Sequence, residues 1–260
     1  MTTKSLIHYS VEQGVAVLEL HNPPANAYSY DMHRELDDAI LRARMDESVH
    51  VLVLRGAGDK FFCAGADIAM LDGVTPDFKY YFCLHANETL LRLENTPKLV
   101  IAALNGHCVG GGLEVALAAD LRVARKGGGK IGLPEVNLGV LPGTGGTARL
   151  TRLVGKSTAL ELMLEARNLS ADEAKALGIV NRVVASVDDV ITFARSLCPP
   201  ATASLAAGLI KRSVQSGGEM SFEGHLALER ELQQRLFSSS DAKEGIKAYV
   251  EKRTAAFSGR

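Results

Sequence analysis

The run Leu99–Leu104 (LVIAAL) contains no polar side chain. A strand this apolar is buried on both faces, the mark of a parallel sheet covered by helices on each side. Soon after it come three consecutive glycines, Gly110, Gly111 and Gly112, and then a helix-forming run, 113–119, whose one polar residue is Glu114. Glycines let the backbone approach a neighbour closely and leave free N–H groups where a helix begins. Such a place favours negative charge, whether fixed or developing during a reaction. A carboxylate in apolar surroundings loses its water and must be neutralised, paired or used. The same pattern also fits an ordinary strand-to-helix turn whose Glu reaches solvent.

Around this stretch, strands and helices alternate and then helices follow alone. Strands are expected over Val15–Leu20, 49–55 and 121–124. The first is ended by Pro23 and Pro24, which cannot join a ladder. Ser29 or Asp31 can cap a helix through Met32, Leu36, Ile40 and Leu41, and Phe78, Phe82, Ala86, Leu90 and Leu93 mark another that stops before Pro97. The segment 61–68 (FFCAGADI) reads as a loop. From Lys156 the expected helices are 157–165, 171–177, 187–196, 201–216, 222–237 and 241–253. The fold class is therefore α/β, a parallel-sheet core with a C-terminal helical segment.

Composition removes several function classes. A net charge of −1 without blocks of like charge offers no nucleic-acid face and no polybasic membrane patch. No apolar run approaches the roughly 20 residues of a membrane span. The first residues lack a signal-peptide apolar core, and Cys63, Cys83, Cys108 and Cys198 show no C-x-x-C pairing. Both point to reduced thiols in a cytoplasmic protein. The seven histidines have no metal-ligand spacing, so no metal is expected.

A second acid invites comparison with Glu114. Glu135 follows Pro134 among Ile131, Leu133, Val136 and Leu138, 21 residues further on. That separation exceeds one helix face but suits the ends of neighbouring strands, where two carboxylates facing one water can divide acid and base roles. Surface exposure is the alternative. The loop 139–146 (GVLPGTGG) lacks the G-x-G-x-x-G spacing of a dinucleotide site and reads as a tight turn opening a helix. His107 has no nucleophile set out with it and reads as a packing or loop residue.

On these residues the chain resembles the crotonase superfamily, and within it the enoyl-CoA hydratases. The carriers are 62–68 (FCAGADI), Asn105-Gly106 through Glu114, Pro134-Glu135, Leu141-Pro142-Gly143 with Gly145-Gly146, and Ser170-Ala171 through Gly178. Lys243-Glu244-Gly245 and Glu251-Lys252-Arg253 match as well. The resemblance implies a spiral of ββα turns over 1–195 and a C-terminal helical trimerisation region over 196–260. It also implies a homo-oligomer, a trimer or a hexamer of two trimers.

The implied activity is reversible hydration of a 2-enoyl-CoA to the 3-hydroxyacyl-CoA. Within the superfamily the alternative is an enoyl-CoA isomerase or a hydratase for a branched, methylglutaconyl-type ester. By resemblance Glu114 holds and activates water, Glu135 exchanges a proton with the α-carbon, and the N–H groups of Ala64 and Gly111 form the oxyanion hole. The loop Ala64, Gly65, Ala66, Asp67 and Ile68, together with Gly110, would face the coenzyme A ester. Lys211, Tyr249 and Lys252 match positions that approach coenzyme A, some of them from a neighbouring subunit. Tyr28, Tyr80, Tyr81 and Phe82 are expected to line or cover the acyl end. Coenzyme A enters as part of the substrate, and no cofactor is implied. Ala69 stands where many hydratases carry a basic residue.

Overall fold

The computed structural model describes residues 5–260. Strands β1 (Ile7–Glu12) and β2 (Val15–Leu20) form an antiparallel hairpin, and α1 (Tyr30–Met45) follows. Helix α1 starts where the Ser29 side chain accepts from the Met32 N–H, and it buries Met32, Leu36 and Ile40. The chain then repeats one pattern. The first turn is β3 (Val51–Gly56), β4 (Phe61–Cys63), α2 (Ile68–Asp72) and α3 (Pro76–Glu94). The second is β5 (Leu99–Leu104), β6 (His107–Val109) and α4 (Gly111–Leu117).

The third turn is β7 (Leu121–Arg125), β8 (Ile131–Gly132), a 3-10 turn over Glu135–Leu138, and α5 (Gly146–Val154). Helices α6 (Lys156–Leu164) and α7 (Ala171–Ala176), strand β9 (Arg182–Val184) and α8 (Val187–Ser196) close the spiral. Three helices end the chain: α9 (Ser204–Gly217), α10 (Phe222–Phe237) and α11 (Ser240–Glu251).

In each turn the first strand joins a six-stranded sheet of order β1-β2-β3-β5-β7-β9, and the second joins a three-stranded sheet of order β4-β6-β8. Among the named strands, every pairing other than the β1–β2 hairpin is parallel. Successive turns stack: Val51 lies opposite Leu99, Ile101 opposite Leu121, and Cys108 opposite Ile131. This is a spiral of ββα turns. Alternate side chains of β5 enter separate cores, Val100, Ala102 and Leu104 on one face, Ile101 and Ala103 on the other. The second core is completed by Val190 and Ala194 of α8, which is why LVIAAL carries no polar residue.

The structure departs from the sequence reading at the short strands. The segment 61–68 contains β4, and β6 lies between the apolar strand β5 and the glycines. The glycine turn thus belongs to the smaller sheet. Asn105 makes the crossover between sheets, accepting from the Gly56 N–H (2.9 Å) while its amide donates to the carbonyls of Gly56 and Gly58.

Helix α9 is pinned to the sheet by a buried ion pair, Lys211 Nζ to Asp120 Oδ2 at 2.8 Å, with Gln215 donating to the other oxygen of Asp120.

Candidate active site

The strands of the smaller sheet end along one edge, and each delivers one piece of a cavity of about 540 Å³. Ala64, Gly65 and Ala66 follow β4, Gly110 and Gly111 follow β6, and Pro134 and Glu135 follow β8. Tyr28, Glu114, Thr144, Leu138 and Leu141 also line it, with Leu71, Val74 and Lys79 from the α2–α3 side. Two glycines are required here. Gly110 has φ +57°, in a region that side chains disfavour. A Cβ on Gly111 would collide with the ring and hydroxyl of Tyr28.

Glu114 is 2 % exposed and entirely tied down. Its Oε1 accepts from the backbone N–H groups of Thr144 and Gly146, both at 2.7 Å, and its Oε2 accepts from the Thr144 hydroxyl. Burying a carboxylate without such partners costs several kcal/mol, roughly what the donors must offset. The loop 139–146, which reads from sequence as a bare turn, is therefore the clamp on Glu114. Sequence reasoning missed Thr144 and Gly146, whose only signal is a glycine-rich turn with one hydroxyl.

Glu135 is held differently. It opens the 3-10 turn, and its Oε2 is buried without a hydrogen-bond partner. Burial above all, with a smaller push from the charge of Glu114, raises its carboxyl to about 7, against opposing pulls from its own backbone N–H and then from Lys79. The site thus pairs an acid that only accepts hydrogen bonds with one that holds a proton near neutrality, the division acid–base chemistry needs.

The oxyanion assignment needs one correction. The Ala64 N–H donates to the Ala25 carbonyl at 3.0 Å and is not available to a ligand. The amides of Ala66 and Gly111 have no acceptor among the described residues, and both residues line the cavity. Gly111 is the first residue of α4, where an N–H has no intrahelical partner. Ala66 is held beside it by a parallel bridge to Tyr28, in which Tyr28 N–H donates to Gly65 O and Asp67 N–H to Tyr28 O.

Other expected contacts divide. Ala64, Gly65, Ala66, Ile68 and Gly110 line the cavity. Asp67 does not: its carboxylate caps α2, accepting from the N–H groups of Ala69 and Met70. Lys211 is withdrawn into its ion pair with Asp120, so the expected coenzyme A contact is overturned. Tyr249, 87 % exposed, and Lys252, at the end of α11, are not brought to this cavity within the chain. Tyr28 lines it, Phe82 packs in the core, and Tyr80 and Tyr81 point to solvent outside the lining. His107 accepts from the Lys130 N–H, a loop role.

His8, Glu19 and His21 gather on the strand hairpin. The two imidazoles are stacked at 4.0 Å between centroids, and the Nδ1 atoms of His8 and His21 lie 3.6 and 3.9 Å from Glu19 Oε1. No helix among the described residues is long and apolar enough to cross a membrane.

A ββα spiral with this edge defines the crotonase class. The chain belongs to the enoyl-CoA hydratase/isomerase family, whose sequence profile matches residues 10–260. It is 40% identical over 261 residues to a probable enoyl-CoA hydratase of Bacillus subtilis, covering 97% of this chain and 98% of that one. It is 38% identical to a short-chain-enoyl-CoA hydratase of Clostridium acetobutylicum, covering 93% of each. A crystal structure of an enoyl-CoA hydratase from Geobacillus kaustophilus superposes with a TM-score of 0.96 at 42% identity, over 100% of this chain and 98% of that one. The chain is a hydro-lyase of the enoyl-CoA hydratase kind.

Proposed function

We propose that this enzyme adds water reversibly to a 2-enoyl-CoA through Glu114 and Glu135, with the Ala66 and Gly111 amides as oxyanion hole. The observation that carries this reading is the contrast between the two acids in one cavity, beside two unpartnered amides. The thioester carbonyl accepts from both amides, which favours the charge gained when the conjugated double bond is attacked. Water attacks the β-carbon and gives a proton to Glu114, while the α-carbon takes the proton of Glu135. Solvent exchange then returns a proton to Glu135 and removes one from Glu114. Moving a double bond requires one base to shuttle a proton and no bound water, so the second acid favours hydration over isomerisation.

The names of two relatives, short-chain-enoyl-CoA hydratase and crotonyl-CoA hydratase, support a short acyl chain. We place the enzyme in a reducing compartment such as the cytoplasm, on the support of four free thiols. Homo-oligomers of three or six are supported by the apolar groove between α9 and α10, where Ile210, Val214 and Phe237 stand exposed. The test is loss of enoyl-thioester absorbance with crotonyl-CoA and longer and branched esters. Turnover of at least one ester is expected. Flat traces throughout, with 3-enoyl esters converted instead, would replace hydration by isomerisation.

A further inference from the structure

The antiparallel hairpin at the edge of the larger sheet gathers three metal-ligating side chains that the chemistry above does not use. Leu18 and Leu20 turn into the core, so the alternate residues Glu19 and His21 face outward together. The strand register sets His8 of β1 directly opposite Glu19. His21 lies just past β2, and its N–H continues the ladder by donating to the Leu6 carbonyl at 2.8 Å. Strand pairing thus brings the three onto one face, which is why no run of the sequence displays a ligand motif. His8 Nδ1 and His21 Nδ1 approach the same oxygen, Glu19 Oε1, and the three ligand atoms lie within 4.8 Å of one another. At 3.6 and 3.9 Å, neither approach is a hydrogen bond. Four-coordinate zinc, with bonds of about 2.0–2.1 Å, sets its ligands about 3.3 Å apart, so both spacings are wide by less than an ångström. His21 Nδ1 is buried and has no hydrogen-bond partner among the described residues. Arg55 Nε stands 3.1 Å from the other carboxylate oxygen, Oε2, and leaves Oε1 to the imidazoles. His8 and Glu19 also line an open groove of about 440 Å³ between the hairpin and α8, which gives an ion a way in.

We propose that His8, Glu19 and His21 form a binding site for one zinc-like divalent cation, held by both Nδ1 atoms and by Glu19 Oε1, with water completing the shell. Two imidazoles and one carboxylate suit zinc, nickel or copper ions, whereas magnesium and calcium take oxygen ligands. Binding draws the two nitrogens together and tilts the stacked rings apart at their far edges. Arg55 orients the carboxylate from outside the shell, and its charge tempers the attraction, which sets the site in the micromolar rather than the nanomolar range. Because the ligands come from both sides of the hairpin, the ion clips the edge strand β1 to β2 and stabilises the folded chain. None of the three residues lines the cavity of Glu114 and Glu135, and the site is independent of their roles.

The experiment strips the untagged full-length protein of metal with a chelator, then titrates it with Zn²⁺ by calorimetry and with Co²⁺ followed by its visible absorption. Wild type is compared with His8→Ala, His21→Ala, Glu19→Gln and the control His225→Ala. His225 Nε2 stands 3.8 Å from Glu229 on α10, so the control asks whether any histidine beside an acid binds as well. Wild type and His225→Ala should bind one equivalent per chain, and Zn²⁺ should raise the thermal midpoint of both. His8→Ala and His21→Ala should each weaken binding at least about hundredfold, since losing a ligand costs more than the roughly 10–100-fold of losing an outer partner. Glu19→Gln, which keeps an oxygen but loses the charge, should weaken it about tenfold. Metal-free thermal midpoints identify the variants that fold, and either histidine variant alone decides the question. No saturable binding by wild type, or binding by a folded histidine variant as tight as wild type, overturns the site. Several weak equivalents shared by all five proteins would mean an adventitious ion only, and would overturn it as well.

Discussion

Glu114 and Glu135 share a cavity, but its two walls treat a carboxylate in opposite ways. The wall built from α4 and the loop 139–146 surrounds Glu114 with two backbone donors and a hydroxyl. The wall built from the 3-10 turn leaves Glu135 Oε2 buried with no donor and lets its carboxyl rise to about 7. The difference teaches that the fold assigns roles through backbone N–H supply. Both carboxyls are buried, but Glu114 is met by three donors, while burial with an unpartnered Oε2 leaves Glu135 able to keep a proton near neutrality.

The comparison predicts its own failure points. Glu114→Gln should cost most, about 10³–10⁴ in kcat, because an amide offers one acceptor oxygen to three donors and also loses the base. Glu135→Gln should cost about 10²–10³, since its Oε2 has no donor to lose and only the proton-transfer role is removed. Equal losses in the two, measured under saturating ester, would break the contrast. Exchange of the α-proton of a 3-hydroxyacyl ester with deuterated solvent sharpens it: Glu135→Gln should suppress exchange about tenfold more than Glu114→Gln.

The pH dependence follows from the same wall. Hydration requires Glu135 protonated, so the forward kcat should fall as pH rises through about 7, and dehydration of the 3-hydroxyacyl ester should rise across the same interval. A forward rate flat from pH 6 to pH 8 would show that Glu135 is not the proton donor. The smallest effect is on stability. Folded Glu135 keeps its proton to about 7, against 4.5 for an ordinary Glu, so the folded protein binds the extra proton in that interval. Wild-type stability must therefore fall as pH rises from 4.5 through 7. Glu135→Gln lacks this liability. It should match wild type in thermal midpoint below pH 4.5 and exceed it by a few degrees at pH 8.

Much of this was legible beforehand where a pattern was long enough to read. The strands β2 and β5 and the helices α8 and α10 lie where their apolar periods place them. Both acids were visible as polar residues in apolar runs. The three-residue strands β4 and β6 were not, because three residues cannot display an alternation. Ala64 was mistaken for the free amide because both Ala64 and Ala66 are small and share one motif. Only the Ala64 to Ala25 hydrogen bond, between distant residues, separates them. Lys211 was misread for a similar reason: its partner Asp120 lies 91 positions away, and nothing local to either residue announces the pair.

The stacking of β4, β6 and β8 has a further consequence. Each rung of the spiral ends at the same edge and contributes one component there: an amide from the first rung, an amide with Glu114 from the second, and Glu135 from the third. Between rungs the chain leaves the column by excursions of unequal length, α2 and α3 after the first, α4 alone after the second. The first excursion can lengthen, shorten or change its inner face without altering the spacing between rungs, since strand pairing sets that spacing, whereas α4 carries Gly111 and Glu114 and is bound to the site. The proposed reactive groups and the α2–α3 side of the cavity, lined by Leu71, Val74 and Lys79, are thereby separated along the chain, and that side can be redrawn with the proposed chemistry left in register.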